Sequence, residues 1–389
     1  MSQGIKKEKL NQLQFLRFLA FMLVFLRHAE KWVHFPTPKG NSVNAITFFF
    51  MLSGFVGAYS LEGRVKGCGL KDIFIFMKKK ILKIYPLYLI STLAYIGVMY
   101  LAAVLFGSNA VPAGELIPQL IKNLFLLQSW WPEGYFLING VSWFLSTLMF
   151  LYLFTLPACS IMEKISKMRS GKLVMFLMIV LLTGLLAVYN YTLHGINDEF
   201  WLYIFPPARL GEYFIGIVMG YLILSIKKDA VCHDTKNEDS KNSISGNGIL
   251  SIIFTILETA ALLQWVFIMV IPAEGWRYRV MEWVIPNVIL IGIFAYGRGH
   301  LSKLFSKKIF AFLGDVSFEC FLLHVIIIRL MDMGIRYLPG ISTEGLSGNN
   351  IIDTFIMLIS LAAVIFISWL VKEIGDKNGT FRRRRTGRD

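Results

Sequence analysis

The chain has 389 residues, 56% of them hydrophobic, 14% aromatic and only 16% charged, with a formal net charge of +14 at pH 7. A soluble domain carries about 25% charged residues, so a mean hydropathy of +0.60 excludes a water-soluble globular protein and points to an integral membrane protein.

Ten apolar stretches, most of them long enough for a bilayer-crossing helix, lie near 13–34, 44–61, 81–106, 141–160, 173–191, 208–226, 249–271, 283–296, 309–333 and 351–371. The expected fold is an all-α integral membrane protein of about ten transmembrane helices. The division is residues 1–12 as a cytoplasmic N-terminus, 13–371 as the membrane domain and 372–389 as a basic cytoplasmic tail. The spans and their connections use up the chain, so any chemistry is expected in or at the membrane.

The first stretch carries Arg17 and His28. Eleven helical steps come within about 20° of three full turns, so the two side chains share one face, roughly 16 Å apart along the axis. A cation and an imidazole on one face of a membrane helix are costly to bury and mark either a functional site or an interhelical brace. This stretch contains charge and lacks a small-residue cleavage site, which argues against a cleaved signal.

In the second stretch, Ser53 and Gly54 fall mid-membrane, with Gly54 suited to close helix approach and Ser53 to a hydrogen bond across the contact. The third opens on Lys78, Lys79, Lys80, Lys83, Tyr85, Pro86 and Tyr88. Those lysines serve equally as stop-transfer charge or as a mouth that holds a phosphorylated donor. Ahead of Trp143 in the fourth stretch, Trp130, Trp131 and Tyr135 read as interfacial aromatics, with sugar stacking as a second use.

The sixth stretch begins with Arg209 and Glu212, an i,i+3 pair that lets both charges sit in a bilayer, followed by the Gly216–Gly220 packing spacing. In the ninth, Ser317 and His324 lie seven apart on one face, while Asp315 and Glu319 share another. His324 is a second buried imidazole, either a brace or part of a site.

Of the 39 lysines and arginines, 29 fall on the side of the N-terminus and six on the opposite side. The positive-inside rule therefore places both termini in the cytoplasm, as an even number of spans requires. Topology and anionic headgroups account for the net charge without a nucleic-acid partner, and the Arg382–Arg385 run reads as an anchor. Cys68, Cys159, Cys232 and Cys320 fall within spans or on the cytoplasmic side and show no metal-ligand spacing, so no metal is expected. Cys232 and His233 sit in a stretch from Lys227 to Gly248 that reads as a polar loop, and no internal repeat of the transporter kind is visible.

Together these segments resemble the acyltransferase-3 family, polytopic membrane enzymes that move acyl groups onto cell-surface glycans and related acceptors. The resemblance rests on Arg17-x10-His28, Phe49-Phe-x-x-Ser53-Gly54-Phe55, Lys83-Ile-Tyr85-Pro86-x-Tyr88 and Trp143-Phe-Leu. Arg209-Leu-Gly-Glu212-Tyr-Phe and Gly314-x-x-Ser317-Phe with His324 complete it, in order, from about residue 11 to 371. Three features depart from the family pattern. Many members carry a glutamate about five residues after the tryptophan, where this chain has Leu148 beside Thr147. The arginines usual ahead of the Tyr-Pro element are Lys80 and Lys83, which cannot form a bidentate fork. The hydrolase-like domain fused to some members has no counterpart here. The first departure puts the chain closer to the branch that acetylates sugars of exopolysaccharides and lipid-linked glycans.

The resemblance implies an O-acyltransferase in a bacterial cytoplasmic membrane, with acetyl-CoA or another acyl-CoA as co-substrate, no bound cofactor, and a cell-envelope glycan or lipid-linked sugar as acceptor. His28 would act as general base or accept the acyl group itself, a role a neutral imidazole suits. Arg17 is the second catalytic candidate, to hold the CoA phosphates or orient the thioester carbonyl. Lys80, Lys83 and Tyr85 would bind the acyl donor, while Ser53, Trp143, Arg209, Glu212, Ser317 and His324 line or support the cavity. The competing readings are a transporter that exports polysaccharide or lipid-linked sugar, and an assembly subunit whose buried charges only hold helices together.

Overall fold

The structure, a computed structural model, describes residues 9–33, 42–107, 111–236, 243–270, 280–338, 342 and 348–377. The side chains of Cys232 and His233 lie outside the described residues, as do Lys39, Arg277, Arg279 and the Arg382–Arg385 run.

Every extended regular element among the described residues is a helix. In chain order these are α1 (Asn11–His28), α2 (Ser42–Leu61), α3 (Leu70–Phe106), α4 (Ala113–Leu124), α5 (Trp143–Leu153), α6 (Thr155–Ile165) and α7 (Gly171–Leu193). They are followed by α8 (Leu210–Lys236), α9 (Ser243–Val270), α10 (Val280–Tyr296), α11 (His300–Phe305), α12 (Lys308–Ile335) and α13 (Asn350–Lys377). Seven of them, α2, α3, α7, α8, α9, α12 and α13, are long and apolar enough to cross a bilayer, and the α5–α6 pair makes an eighth if read as one bent span. The protein is thus an all-α, multi-pass membrane protein. All ten expected stretches fall on helices. The two that miss the length and polarity needed are α1, which carries Asn11, Gln12, Gln14, Arg17, Arg27 and His28 in 18 residues, and the short α10.

Local chemistry sets several boundaries. The third helix starts where the Gly69 backbone N–H donates to the Asp72 carboxylate at 3.2 Å, and ends on Gly107 at φ 63°, a left-handed cap that glycine adopts without a Cβ penalty. The fourth stretch, expected as one span over 141–160, breaks by 49° between Leu153 and Thr155. Pro157 explains the break, because its ring removes a helical donor and clashes with the carbonyl four residues back, at Leu153. The polar loop expected from Lys227 to Gly248 is shorter than its composition suggests. Helix α8 runs on to Lys236 and α9 begins at Ser243, since lysine and alanine sustain a helix beyond its apolar part.

The packing of α2 on α8 is the most extensive in the bundle, followed by α1 on α12. Small residues bring the first pair together. A Cβ on Gly54 would collide with the Tyr213 carbonyl, one on Gly216 with the Met51 carbonyl, and one on Gly220 would crowd Ala58 and the Phe55 carbonyl. On the α1–α12 side, a Cβ on Gly314 would strike the backbone of Gln14. Both α7 and α9 lie at the periphery and expose apolar side chains such as Leu181, Val188, Ile256 and Phe267.

The stretch between α4 and α5, expected outside the membrane with its aromatics at the interface, packs against the bundle. Gln128, Ser129, Asn139 and Ser142 are fully buried and hydrogen-bond to side chains and backbone around them, while Gln128 Oε1 and Asn139 Oδ1 have no hydrogen-bond partner among the described residues. The Tyr88 hydroxyl donates to the Asn123 carbonyl at 2.8 Å, Gln128 Nε2 to the Ser142 carbonyl at 3.1 Å, and Asn139 Nδ2 to the Leu322 carbonyl at 3.2 Å. Trp130 packs on Phe150 and Tyr135 is buried, which leaves Trp131 as the exposed aromatic of the three.

Both described ends of the chain emerge on one face. Lys9 bridges to the Asp315 carboxylate at 3.2 Å, and Lys372 Nζ donates to the Asp315 carbonyl at 2.7 Å. The opposite face gathers Lys31, Asp332 and Arg336 in an ion-pair cluster.

Candidate active site

Arg17 and His28 occupy the same helix but open into different cavities. The first, about 260 Å³, lies toward the face of the chain ends and is lined by Arg17, Lys80, Lys83, Ser53, Glu319 and Lys372, among others. The second, about 380 Å³, lies toward the opposite face and takes in His28, Trp143, Tyr95, Glu199, Tyr203 and Arg329. The helical spacing of the pair therefore carries it from one chamber to the other.

In the Arg17 cavity the guanidinium is locked onto α12. Arg17 Nε donates to Ser317 Oγ at 2.7 Å and Nη2 donates to the Gly314 carbonyl, while Ser317 Oγ itself donates to that carbonyl at 2.8 Å. Two nitrogens of the planar fork are thus used on two acceptors, a geometry a lysine ammonium does not have. Lys80 lies over the rings of Tyr152 and Phe76, with Nζ at 4.7 and 5.2 Å from their centroids. Lys372 from α13 and Glu319 from α12 complete the charged wall. Leu148, at the place of the family's glutamate, also lines this chamber, whereas Thr147 turns away and donates to the Ile204 carbonyl at 3.1 Å.

His28 presents an exposed imidazole to its cavity. It stands against His324, which is fully buried, with ring centroids 5.0 Å apart. His324 Nδ1 lies 2.8 Å from the Phe321 carbonyl and 3.3 Å from the Cys320 carbonyl. A carbonyl only accepts, so Nδ1 carries the proton and Nε2 holds the lone pair. That Nε2 has no hydrogen-bond partner among the described residues. Around the two rings, Arg27 pairs with Glu30, the Tyr135 hydroxyl donates to Glu199 Oε2 at 3.0 Å, and Arg329 stacks on Tyr95 at 4.7 Å. Rings, guanidinium groups and carboxylates together form a surface that can hold a polyhydroxylated acceptor.

The remaining sequence candidates lie apart from the two chambers. Arg209 and Glu212 are fully buried as an ion pair at 3.0 Å, and Arg209 Nη2 donates to Thr47 Oγ1 at 3.2 Å while its plane covers Phe50 at 5.0 Å. This pair ties α8 to α2. Tyr85 does not line the Arg17 cavity, and its hydroxyl donates to the Leu124 carbonyl at 2.8 Å. Lys372, Glu319, Glu199 and Arg329 were not singled out as cavity residues from sequence. For Glu319 the i,i+4 pairing with Asp315 was a signal, but Lys372 looked like one charge of a basic tail.

The polytopic bundle thus holds two unequal chambers, one cationic and one with an accessible imidazole. Residues 10–373 match the acyltransferase-3 model, described as an acyltransferase domain, and the chain belongs to that family. A curated relative, acyltransferase MdmB of Streptomyces mycarofaciens, is 28% identical over 234 residues, which are 55% of this chain and 58% of that protein. The match thus spans a little over half the length of each. No solved structure matches the chain significantly.

Proposed function

We propose that the protein is a membrane-embedded O-acyltransferase. It takes an acetyl or similar short acyl group from acyl-CoA bound at the Arg17 cavity and delivers it to a hydroxyl of a cell-envelope glycan or lipid-linked sugar in the His28 cavity. The observation that carries this reading is the division of labour between the chambers, with Arg17, Lys80, Lys83 and Lys372 on the side of the chain ends and an accessible His28 on the other. With the termini in the cytoplasm, as the charge bias favours, the cationic chamber faces the compartment that supplies acyl-CoA. The membrane is then the bacterial cytoplasmic membrane.

In the proposed step His28 takes the acceptor's hydroxyl proton as the oxygen attacks the thioester carbonyl. The C–O ester bond forms, the C–S bond breaks, and the proton passes from His28 to the departing thiolate, which leaves as CoA thiol. Positioned base catalysis supplies about 10²–10⁴-fold, and alignment of thioester and hydroxyl supplies much of the rest. Arg17 orients the donor while α12 fixes its guanidinium, and His324 sets the position of the His28 ring.

The test is turnover of radiolabelled acetyl-CoA by purified protein in nanodiscs with an envelope glycan extract, wild type beside His28→Ala of matched thermal stability. Release of CoA by the wild type alone supports the reading, and full activity in His28→Ala overturns the role of His28. Label trapped on the protein without acceptor, and lost in His28→Ala, would replace the base step by a covalent acyl-imidazole. No turnover in either protein would favour export of the glycan through the same two chambers.

A further inference from the structure

The two chambers are separated by aromatic rings. Phe321 is the residue that lines both, and its ring is closed on by Phe144 and Phe49. The three form a triangle of edge contacts, with centroids 5.4 Å apart for Phe144–Phe321, 5.7 Å for Phe49–Phe321 and 5.9 Å for Phe49–Phe144. They come from three helices, α12, α5 and α2, and all are buried. Phe50 backs the triangle at 4.6 Å from Phe144. On the far side, the carbonyl of Phe321 is the one that accepts the His324 proton, so the partition and the histidine pair are parts of one helical turn.

The three rings touch on all three sides and stand where the two chambers adjoin. A thioester that enters from the Arg17 cavity and is attacked at His28 has to part them, the acyl group leading and the end of the pantetheine arm following, while the nucleotide end of CoA stays behind. The rings give way by rotating their side chains against packed neighbours, and that displacement grows with the width of what passes, not with its length. A linear acyl chain has the girth of a methylene however long it is, whereas a branched or aromatic acyl group is wider.

Resting on the acyl-CoA reading above, we propose that Phe49, Phe144 and Phe321 are the specificity-determining residues of the transfer. They admit unbranched acyl groups and reject branched or aromatic ones by girth. None of the three touches the proton being moved, so they govern which group arrives and not the chemistry at His28.

The experiment compares acetyl-CoA, isobutyryl-CoA and benzoyl-CoA as donors, read as thiol release in nanodiscs with an envelope glycan extract as acceptor. The variants are Phe144→Ala and, in case that cavity impairs folding, Phe144→Leu, which keeps the apolar contact but narrows the ring wall. Turnover of isobutyryl-CoA relative to acetyl-CoA is expected to rise at least tenfold in Phe144→Ala and several-fold in Phe144→Leu. An unchanged ratio in a folded variant that still turns over acetyl-CoA overturns the proposal. A wild type that already takes benzoyl-CoA as well as acetyl-CoA also overturns it. Absence of turnover with every donor in the wild type is a different result, since it removes the acyl-CoA reading on which the proposal stands.

Discussion

His28 and His324 meet edge to face, their ring centroids 5.0 Å apart and their planes at 62°. The hydrogen bonds of His324 run back to its own helix, to the carbonyls of Cys320 and Phe321, and tie α12 to no other element. A brace between helices needs a partner on another helix, and the buried Nε2 has none among the described residues. Replacing His324 by phenylalanine removes an unpaired buried nitrogen, so stability should change by less than about 1 kcal/mol in either direction. Turnover should nevertheless fall about 10²-fold, because a displaced base loses alignment with the acceptor. The loss should appear in kcat with the KM for acyl-CoA unchanged. A thermal melt and steady-state kinetics on His324→Phe check both halves.

Arg17 should not tolerate lysine. Its fork serves Ser317 and the Gly314 carbonyl from two nitrogens, a planar geometry that a lysine ammonium on its flexible stem lacks. Arg17→Lys is expected to lose at least tenfold in kcat/KM for acyl-CoA. Ser317→Ala, which removes one acceptor from a charged donor, should cost about 1.5–3 kcal/mol of stability. Chemical denaturation in detergent measures the second effect independently of activity.

The α2–α8 contact makes glycine position decisive. Gly54→Ala and Gly216→Ala each drive a methyl group into a facing backbone carbonyl, while Gly97→Ala and Gly184→Ala meet nothing within 4 Å. The first pair should destabilise by about 1–3 kcal/mol or more, as overpacking does. The second pair should be neutral or slightly stabilising, since alanine is the better helix former. Melting of the four variants by fluorescence-detected size exclusion separates them.

Removing one partner of the fully buried Arg209–Glu212 pair strands the other charge. Glu212→Gln or Arg209→Met alone should cost about 3–5 kcal/mol, and the Arg209→Met/Glu212→Leu double variant distinctly less than the sum. A double-mutant cycle on thermal stability reads the coupling directly.

Much of this arrangement was legible in the sequence because it is periodic within one helix. The eleven-residue spacing of Arg17 and His28, the three-residue spacing of Arg209 and Glu212, and the Gly216–Gly220 spacing each depend on a single element and its pitch. The break at Leu153 was legible as well, in Pro157, but an otherwise apolar run masked it. What the sequence did not disclose depends on approach between distant segments. Ser317 lies 300 residues from the arginine it holds. The burial of Gln128, Asn139 and Ser142 rests on partners from α3, α4 and α12. Phe49, Phe144 and Phe321 read as ordinary apolar residues, and only their convergence gives them a position between two chambers.

That convergence also bears on the membrane's electrical integrity. Two chambers hollowed from opposite faces shorten the insulating path between the compartments, and a polar partition would let ions follow the voltage across it. Three hydrocarbon rings offer a hydrated ion nothing to replace its lost water, at an idealised cost of order 20 kcal/mol. A neutral acyl group meets no such penalty. On the proposed reading, a wall of phenylalanines would let an acyl group change compartments while the ion gradient across the membrane is left intact.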